Sequence, residues 1–99
     1  MNLNVKNQMI INWNNTHFVY QVNQREIDLE KVENTLRFST EKYFDNHTGR
    51  YVKIGGNKRE GLLLVSYEIE LDESVTPITV HQTDREQINH RLNEGRYEF

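Results

Sequence analysis

The chain has 99 residues, of which 27% are charged and 35% hydrophobic, and its formal net charge at pH 7 is −3. This length predicts one small domain over residues 1–99, because two separate cores need a longer chain. The lack of cysteine excludes disulfides, thiolate catalysis and cysteine-based zinc sites. The acidic balance argues against a broad nucleic-acid-binding surface, although a local basic site is compatible with it.

The N-terminal half predicts a strand and two helices. Residues 9–13 (MIINW) are apolar and β-prone, which favours a first strand. A polar residue at 14–16 could cap a short helix over residues 17–22, although that stretch is also rich in strand-forming types. Asp28 is a suitable N-cap for a helix over residues 29–38, whose apolar residues recur at helical spacing.

Beyond residue 40 the apolar residues alternate with a period of two. The segments 50–56 (RYVKIGG), 62–71 (LLLVSYEIEL) and 78–81 (ITVH) predict three strands, with Pro77 opening the last. The segment 45–49 (DNHTG) has the composition of a turn. These runs together predict an antiparallel meander.

The last predicted element is a polar helix. Thr83 and Glu86 have the spacing of a capping box, and Gly95 suits the position just after a helix end. Only Ile88 and Leu92 are apolar in this helix, so it can dock by one narrow stripe. The predicted fold is α+β, with the order β-α-α-β-β-β-α and helices on one face of a small antiparallel sheet of about four strands.

Several kinds of site are absent from the sequence. The four histidines do not pair at metal-ligand spacing, and there is no phosphate-binding glycine loop and no G-x-S-x-G element. No segment approaches the roughly 20 apolar residues of a membrane span, and the first 13 residues do not resemble a secretory signal. We therefore expect no metal, no cofactor and no membrane association.

The remaining candidates are cationic and imidazole side chains near predicted strand ends. Metal-free RNA cleavage needs a base for the 2′-OH proton and cations for the phosphate, and histidine and arginine suit these tasks. His81 with Arg50 and Arg85 would form a minimal catalytic set, with Lys53, Arg59 and His17 as further RNA-binding candidates. The alternative interpretation is that both arginines are solvated and that His81 is an ordinary half-buried residue at a strand end.

Aromatic residues also allow two interpretations. Trp13 and the tyrosines could stack on bases, or Trp13 could pack in the core with Ile11. The C-terminal tail RYEF contains Arg96, Tyr97 and Phe99, which are residue types enriched at interfaces. It could dock a partner or a second copy of the chain, or it could fold back on the sheet.

The order of these motifs resembles the BrnT-like toxin family, which is related to the RelE-type ribonucleases. The matching pieces are IINW, His17, VENTL, RYVKIG, GLLLVSY and PITVHQTDRE, in that order over residues 10–90. Two positions depart from the family pattern, because Leu62 and His81 stand where arginine is usual.

The resemblance implies a small cytoplasmic toxin that cuts RNA without a metal and pairs with a cognate antitoxin. It places Arg50, His81 and Arg85 at matching positions, and Glu86 as well, although capping explains Glu86 more simply. The alternative function is a non-catalytic protein-binding module on the same scaffold, with a partner protein or a homodimer as its assembly.

Overall fold

A computed structural model describes residues 8–99 of the chain. It contains three helices and five strands, and the α+β class predicted from the sequence is confirmed. In chain order the elements are α1 (Thr16–Gln24), α2 (Leu29–Phe38), β1 (Glu41–Asp45), β2 (Arg50–Asn57), β3 (Gly61–Ile69), β4 (Val75–Thr83), α3 (Arg85–Asn93) and β5 (Tyr97–Glu98).

The strands form one antiparallel sheet in the order β4-β3-β2-β1-β5. Strands β2 to β4 form the antiparallel meander that the alternating pattern predicted, and β1, which the sequence did not predict as a strand, extends it. The turn between β1 and β2 brings Asp45 opposite Arg50 and contains Gly49 at a φ of 72°, a conformation that glycine adopts without steric cost. The short β5 returns to pair with β1 through Phe44 and Asp45, and the sequence analysis did not predict it.

Helices cover both faces of the sheet, which corrects the expectation that all lie on one face. Helices α1 and α2 pack on a cluster that includes Val65 and Val80. Ile88 of α3 packs on the opposite face against Val52 and Leu64. Because β3 carries apolar side chains on both faces, with Leu63 and Val65 in one cluster and Leu64 in the other, each face needs a cover.

The two N-terminal helices begin at the polar residues that the sequence indicated. The Asn15 side chain accepts hydrogen bonds from the backbone N–H groups of His17 and Phe18, and the Asp28 side chain accepts one from Glu30. Such caps satisfy the N–H groups that the first helical turn leaves without partners.

Residues 9–13 do not form the predicted first strand. Only Ile11 bridges to the sheet, where it lies parallel to Val75 at the start of β4. The Asn12 side chain donates to the hydroxyls of Ser74 and Thr76, and α1 begins four residues later, so the pairing does not extend. Trp13 is partly buried against the α1–α2 cluster, in agreement with its interpretation as a core residue.

The last helix begins one residue later than the predicted capping box implies. Asp84 is the N-cap, and its carboxylate accepts a hydrogen bond from the Gln87 backbone N–H at 2.8 Å. The Thr83 hydroxyl donates instead to the Gln87 side chain. Gly95 follows the helix at a φ of 78°, as its predicted role requires. Pro77 also lies inside β4, two residues after its start, beside an irregularity in the pairing with β3.

Side chains from α1 cover the outer edge of β4. The Gln21 side-chain oxygen accepts a hydrogen bond from the Val80 N–H at 3.3 Å, and the Arg25 guanidinium donates to the Val80 carbonyl. These contacts satisfy backbone groups that an edge strand would otherwise leave without partners. They also hold Arg25 next to His81, the residue after Val80.

No helix within residues 8–99 is long and apolar enough to cross a membrane. The interpretation that the N-terminus is not a secretory signal falls partly on residues 1–7, which lie outside the described residues.

Candidate functional site

A cavity of about 300 Å³ lies on the α3 side of the sheet, next to the β1–β2 turn. Its lining contains three arginines, one aspartate, one histidine and three hydroxyl-bearing threonine and serine side chains. We call it the arginine cavity; it is lined by Gln21, Arg25, Asp45, Thr48, Arg50, Val52, Leu64, Ser66, Thr79, His81, Arg96 and Tyr97. With a neutral imidazole its lining charge is +2, from three arginines and one aspartate, although the chain as a whole carries −3.

The Arg96 guanidinium is held in the cavity by Asp45. Its Nε and Nη2 atoms donate to the two carboxylate oxygens of Asp45 at 2.9 and 3.0 Å. Burial alone would raise the pKa of Asp45, but hydrogen bonds from Arg96 and the His47 backbone outweigh this effect and lower it. The two-point contact fixes the plane of the guanidinium, so Arg96 is oriented before a ligand arrives.

Arg50 and Arg25 complete the cationic lining. The Arg50 Nε atom lies 3.0 Å from a Glu68 carboxylate oxygen, and both side chains are partly exposed. An exposed pair of this kind is weak, so a phosphate could replace Glu68 as the partner of Arg50. Arg25 enters from α1 through its contact with the Val80 carbonyl.

His81 lies in β4 opposite Leu64, with its imidazole half-buried at the cavity wall. Burial lowers the pKa of His81 below its usual value of 6.5, and the positive charges of Arg25, Arg91 and Arg96 lower it further. A neutral imidazole can accept a proton at pH 7, which is the state that a general base requires.

The lowered pKa of His81 predicts a specific loss of stability in acid. As the pH falls below about 6.5, the unfolded chain binds a proton that the native imidazole still excludes. The free energy of unfolding should therefore fall between about pH 7.5 and pH 5.5 by more in the wild type than in His81→Gln. Urea denaturation of both proteins at the two pH values measures this difference. If the free energy of unfolding changed equally with pH in both proteins, His81 would not contribute to the loss of stability in acid.

The Asp45–Arg96 pair predicts a loss of stability in Asp45→Asn. The amide cannot accept two charge-assisted hydrogen bonds, and Arg96 would lose its counterion while partly buried. We expect the free energy of unfolding to fall by about 1–3 kcal/mol. Urea denaturation with an unchanged m-value would measure it. Glu94→Gln is a matched control, because that carboxylate is half exposed and its loss should change stability little. If both substitutions lowered the free energy of unfolding equally, the Asp45–Arg96 pair would not be the source of the loss.

Of the predicted catalytic residues, the structure brings Arg50 and His81 together at the arginine cavity but not Arg85. The Arg85 guanidinium donates to both carboxylate oxygens of Glu41, at 2.5 and 3.0 Å. Glu41 and Asp45 are at opposite ends of β1, about 13 Å apart along the strand. The Arg85 hydrogen bond lowers the pKa of Glu41, which helps to keep both groups charged and paired.

The predicted RNA-binding residues are dispersed. The Lys53 ammonium donates to the Leu36 carbonyl at 2.7 Å, on the sheet face opposite the cavity. Arg59 lies in the exposed turn between β2 and β3. His17 is exposed in the first turn of α1, one turn before Gln21, and does not line the cavity.

The C-terminal tail folds back on the sheet, as one of its two interpretations proposed. Tyr97 is buried in β5, and its ring stacks on that of Tyr43 with centroids 5.8 Å apart. Phe99 contacts Tyr43 edge-on and is otherwise exposed. This return is what delivers Arg96 to the cavity.

Arg25 and Arg96 are the cavity arginines that sequence reasoning did not assign to the site. Their signals in the sequence are weak, because Arg25 lies just outside a helix in no local motif, and Arg96 belongs to the tail RYEF, whose residue types indicated an interface and not this site. The four-residue spacing of Gln21 and Arg25 places both on one side of α1, but only the packing shows that this side faces the end of β4.

A larger groove of about 660 Å³ lies between α2 and the β2–β3 turn. Its lining has one lysine, Lys31, against four carboxylates, so its charge disfavours a phosphate, and the smaller cavity with its three arginines suits a phosphate better. Among residues 8–99, no three histidine, aspartate or glutamate side chains are grouped so that they could hold a metal ion.

Comparison with known proteins gives no relative from which a site could be transferred. No protein-family model matches the chain, and no curated protein or solved structure is significantly similar to it. The resemblance to the BrnT-like toxins therefore stays a prediction based on motif order.

Proposed function

We propose that this protein is a metal-independent endoribonuclease whose active site is the arginine cavity. Its substrate is single-stranded RNA, and His81 is its general base. Arg50, Arg96 and Arg25 bind the scissile phosphate. The observation that carries the proposal is a half-buried histidine, with its pKa lowered, on the wall of a cavity lined by three arginines.

The reaction that this set can perform is transesterification. The His81 imidazole takes the proton of the 2′-OH, and the 2′-oxygen attacks the adjacent phosphorus. The bond from phosphorus to the 5′-oxygen breaks, and that oxygen receives a proton from the imidazolium or from water. The products are a 2′,3′-cyclic phosphate and a 5′-hydroxyl. The arginines stabilise the negative charge that develops on the phosphate oxygens.

Arg85 has no direct role in this proposal. Arg96 takes the phosphate-binding role that the sequence predicted for Arg85. The geometry supports the exchange, because Arg96 lines the same cavity as His81 while Arg85 pairs with Glu41. Glu68 holds Arg50 in the absence of RNA and releases it when a phosphate binds.

The biological setting that we propose is that of the BrnT-like toxins. The protein acts in the cytoplasm as a toxin and is neutralised by a cognate antitoxin that covers the cavity. The support for this setting is the motif order from IINW to PITVHQTDRE.

The test is cleavage of a single-stranded RNA by the purified protein in the presence of a metal chelator. We expect cleavage with products that end in a 2′,3′-cyclic phosphate. Induced expression of the protein should also arrest growth. The proposal would be rejected if the folded protein leaves RNA intact over a range of sequences. Copurification of a partner together with that result would favour the alternative, a non-catalytic protein-binding module.

A further inference from the structure

Two hydroxyl groups that line the arginine cavity are hydrogen-bonded to each other. Ser66 of β3 pairs directly with Thr79 of β4, and their side-chain oxygens lie 2.5 Å apart. Both residues belong to the cavity lining, and Ser66 is only 6% exposed. We call them the hydroxyl pair. The reaction proposed for the cavity does not use either of them.

A one-residue shift in the pairing of β3 with β4 brings the hydroxyl pair to the cavity. The shift follows Ser66, and it leaves Ile78 as an extra residue of β4. In a regular ladder Ile78 would lie opposite Ser66. Thr79 and His81 would then lie on the other face of the sheet, because successive side chains of a strand alternate between faces. Such bulges redirect side chains beside binding and catalytic sites.

The hydroxyl pair lies between Arg50 and His81 on the cavity face. Thr79 and His81 are two residues apart in β4. Ser66 pairs with Val52, which is two residues beyond Arg50 in β2. Two residues of a strand span about 7 Å. A tetrahedral anion bound at the pair would therefore have the imidazole on one side and the Arg50 guanidinium on the other.

The hydroxyl pair has one more proton than its internal hydrogen bond uses. Each hydroxyl carries one proton, and only one of the two protons lies between the oxygens. Within residues 8–99 neither side chain has another hydrogen-bond partner. A buried donor without an acceptor is costly. The second proton is therefore available to an acceptor inside the cavity, and the three arginines select an acceptor that is negatively charged.

The charge of the cavity indicates which anion fits. With a neutral imidazole its lining carries +2, from three arginines and one aspartate. A terminal phosphate group carries about 1.5 to 2 negative charges at pH 7, whereas the phosphodiester of intact RNA carries a single charge. We propose that the hydroxyl pair and the three arginines form a binding site for a phosphate dianion, which is either free inorganic phosphate or the terminal phosphate of a nucleotide.

The consequence of this site for RNA cleavage rests on the proposed function. The scissile phosphate gains its second negative charge only while the 2′-oxygen attacks. A site that fits a dianion therefore binds the transition state more tightly than the intact RNA, as a catalyst requires. A free phosphate ion has the same charge, so it should occupy the site and inhibit cleavage in competition with RNA.

The test is an NMR titration of the isotope-labelled full-length protein with inorganic phosphate at about pH 7.5, where the dianion prevails. The amide signals beside the hydroxyl pair should shift, and the shifts give the Kd. We expect Ser66→Ala/Thr79→Val to raise this Kd at least about tenfold, because a hydrogen bond to a charged group is lost. Its free energy of unfolding should stay close to that of the wild type, since apolar groups of similar shape replace both partners.

Thr76→Val is the matched control. This hydroxyl also belongs to β4, but it donates to Glu70 and does not line the cavity, so the variant should bind phosphate as the wild type does. Dimethyl phosphate, a monoanion, should bind at least about tenfold more weakly than inorganic phosphate. Uridine 3′-monophosphate separates the two sources of the dianion. Tighter binding than that of inorganic phosphate would assign the site to a nucleotide end, and equal binding would assign it to the free ion.

The proposal is overturned if the double variant binds phosphate as tightly as the wild type, or if Thr76→Val weakens binding equally. Dimethyl phosphate that binds as tightly as inorganic phosphate would also overturn it. Phosphate binding that depends on the hydroxyl pair, without any RNA cleavage, would retain the phosphate site and reject the ribonuclease. RNA cleavage that is unchanged in the double variant and unaffected by phosphate would remove the site and leave the proposed function.

Discussion

Replacing His81 by alanine is expected to lower the rate of RNA cleavage by at least about 100-fold, the range in which positioned general bases act. The substitution removes the proton acceptor and leaves the three arginines of the cavity in place. The measurement is the single-turnover rate constant with saturating enzyme, which separates the chemical step from RNA binding. We expect the Kd for RNA to change much less than the rate constant.

The matched control is His90→Ala. His90 is exposed on α3, where it lies 3.3 Å from the Glu94 carboxylate, so its loss should leave cleavage unchanged. Circular dichroism and a thermal melt would establish that both variants are folded. Full activity of folded His81→Ala would remove His81 from the mechanism, whereas equal losses in both variants would point to a general effect on the protein.

The largest expected effect on stability is that of Gly55→Ala. A Cβ atom at this position would lie 2.8 and 2.9 Å from the Thr35 Cβ and Cγ2 atoms, and closer still to its hydroxyl oxygen. Thr35 is buried in α2, and its hydroxyl donates to the Lys31 carbonyl, so the side chain has little freedom to move away. We expect the free energy of unfolding to fall by about 3 kcal/mol, measured by urea denaturation.

Two further variants test whether this contact is the cause. Thr35→Ala removes the hydroxyl and the methyl group, so it should recover part of the loss when combined with Gly55→Ala. Gly49→Ala meets no atom within 4 Å but has a φ of 72°, so it should cost only about 1 kcal/mol of backbone strain. If Gly55→Ala costs no more than Gly49→Ala, α2 does not rest on β2 as closely as the structure indicates.

The elements that could be predicted from the sequence are those defined by local signals. Asn15 and Asp28 begin helices because a side-chain oxygen satisfies nearby N–H groups, and the meander follows from alternation interrupted by turns. Strand β5 could not be predicted, because two residues carry no period and its pairing with β1 is non-local. Residues 9–13 look like a strand locally, but only one residue finds a partner at the end of β4.

The candidate site, like the fold, could be predicted only where its residues carry local signals. Arg50 and His81 occur in predicted strands, where alternation limits which face each side chain occupies. Arg85 is in the motif next to His81, but it is the first residue of α3, and its side chain extends towards Glu41 and not towards the cavity. Arg96 reaches the cavity because the chain returns after Gly95, and Arg25 because α1 packs on the β4 edge. Neither of these tertiary relations is visible in a short stretch of residues.

The contact of Arg25 with the Val80 carbonyl links protection against aggregation to the charge of the candidate site. The same guanidinium covers an exposed strand edge and contributes charge to the cavity beside His81. A mutation that detached α1 would weaken the site and also expose a template on which fibrils can grow. Selection for an active protein would then protect the chain against aggregation as well.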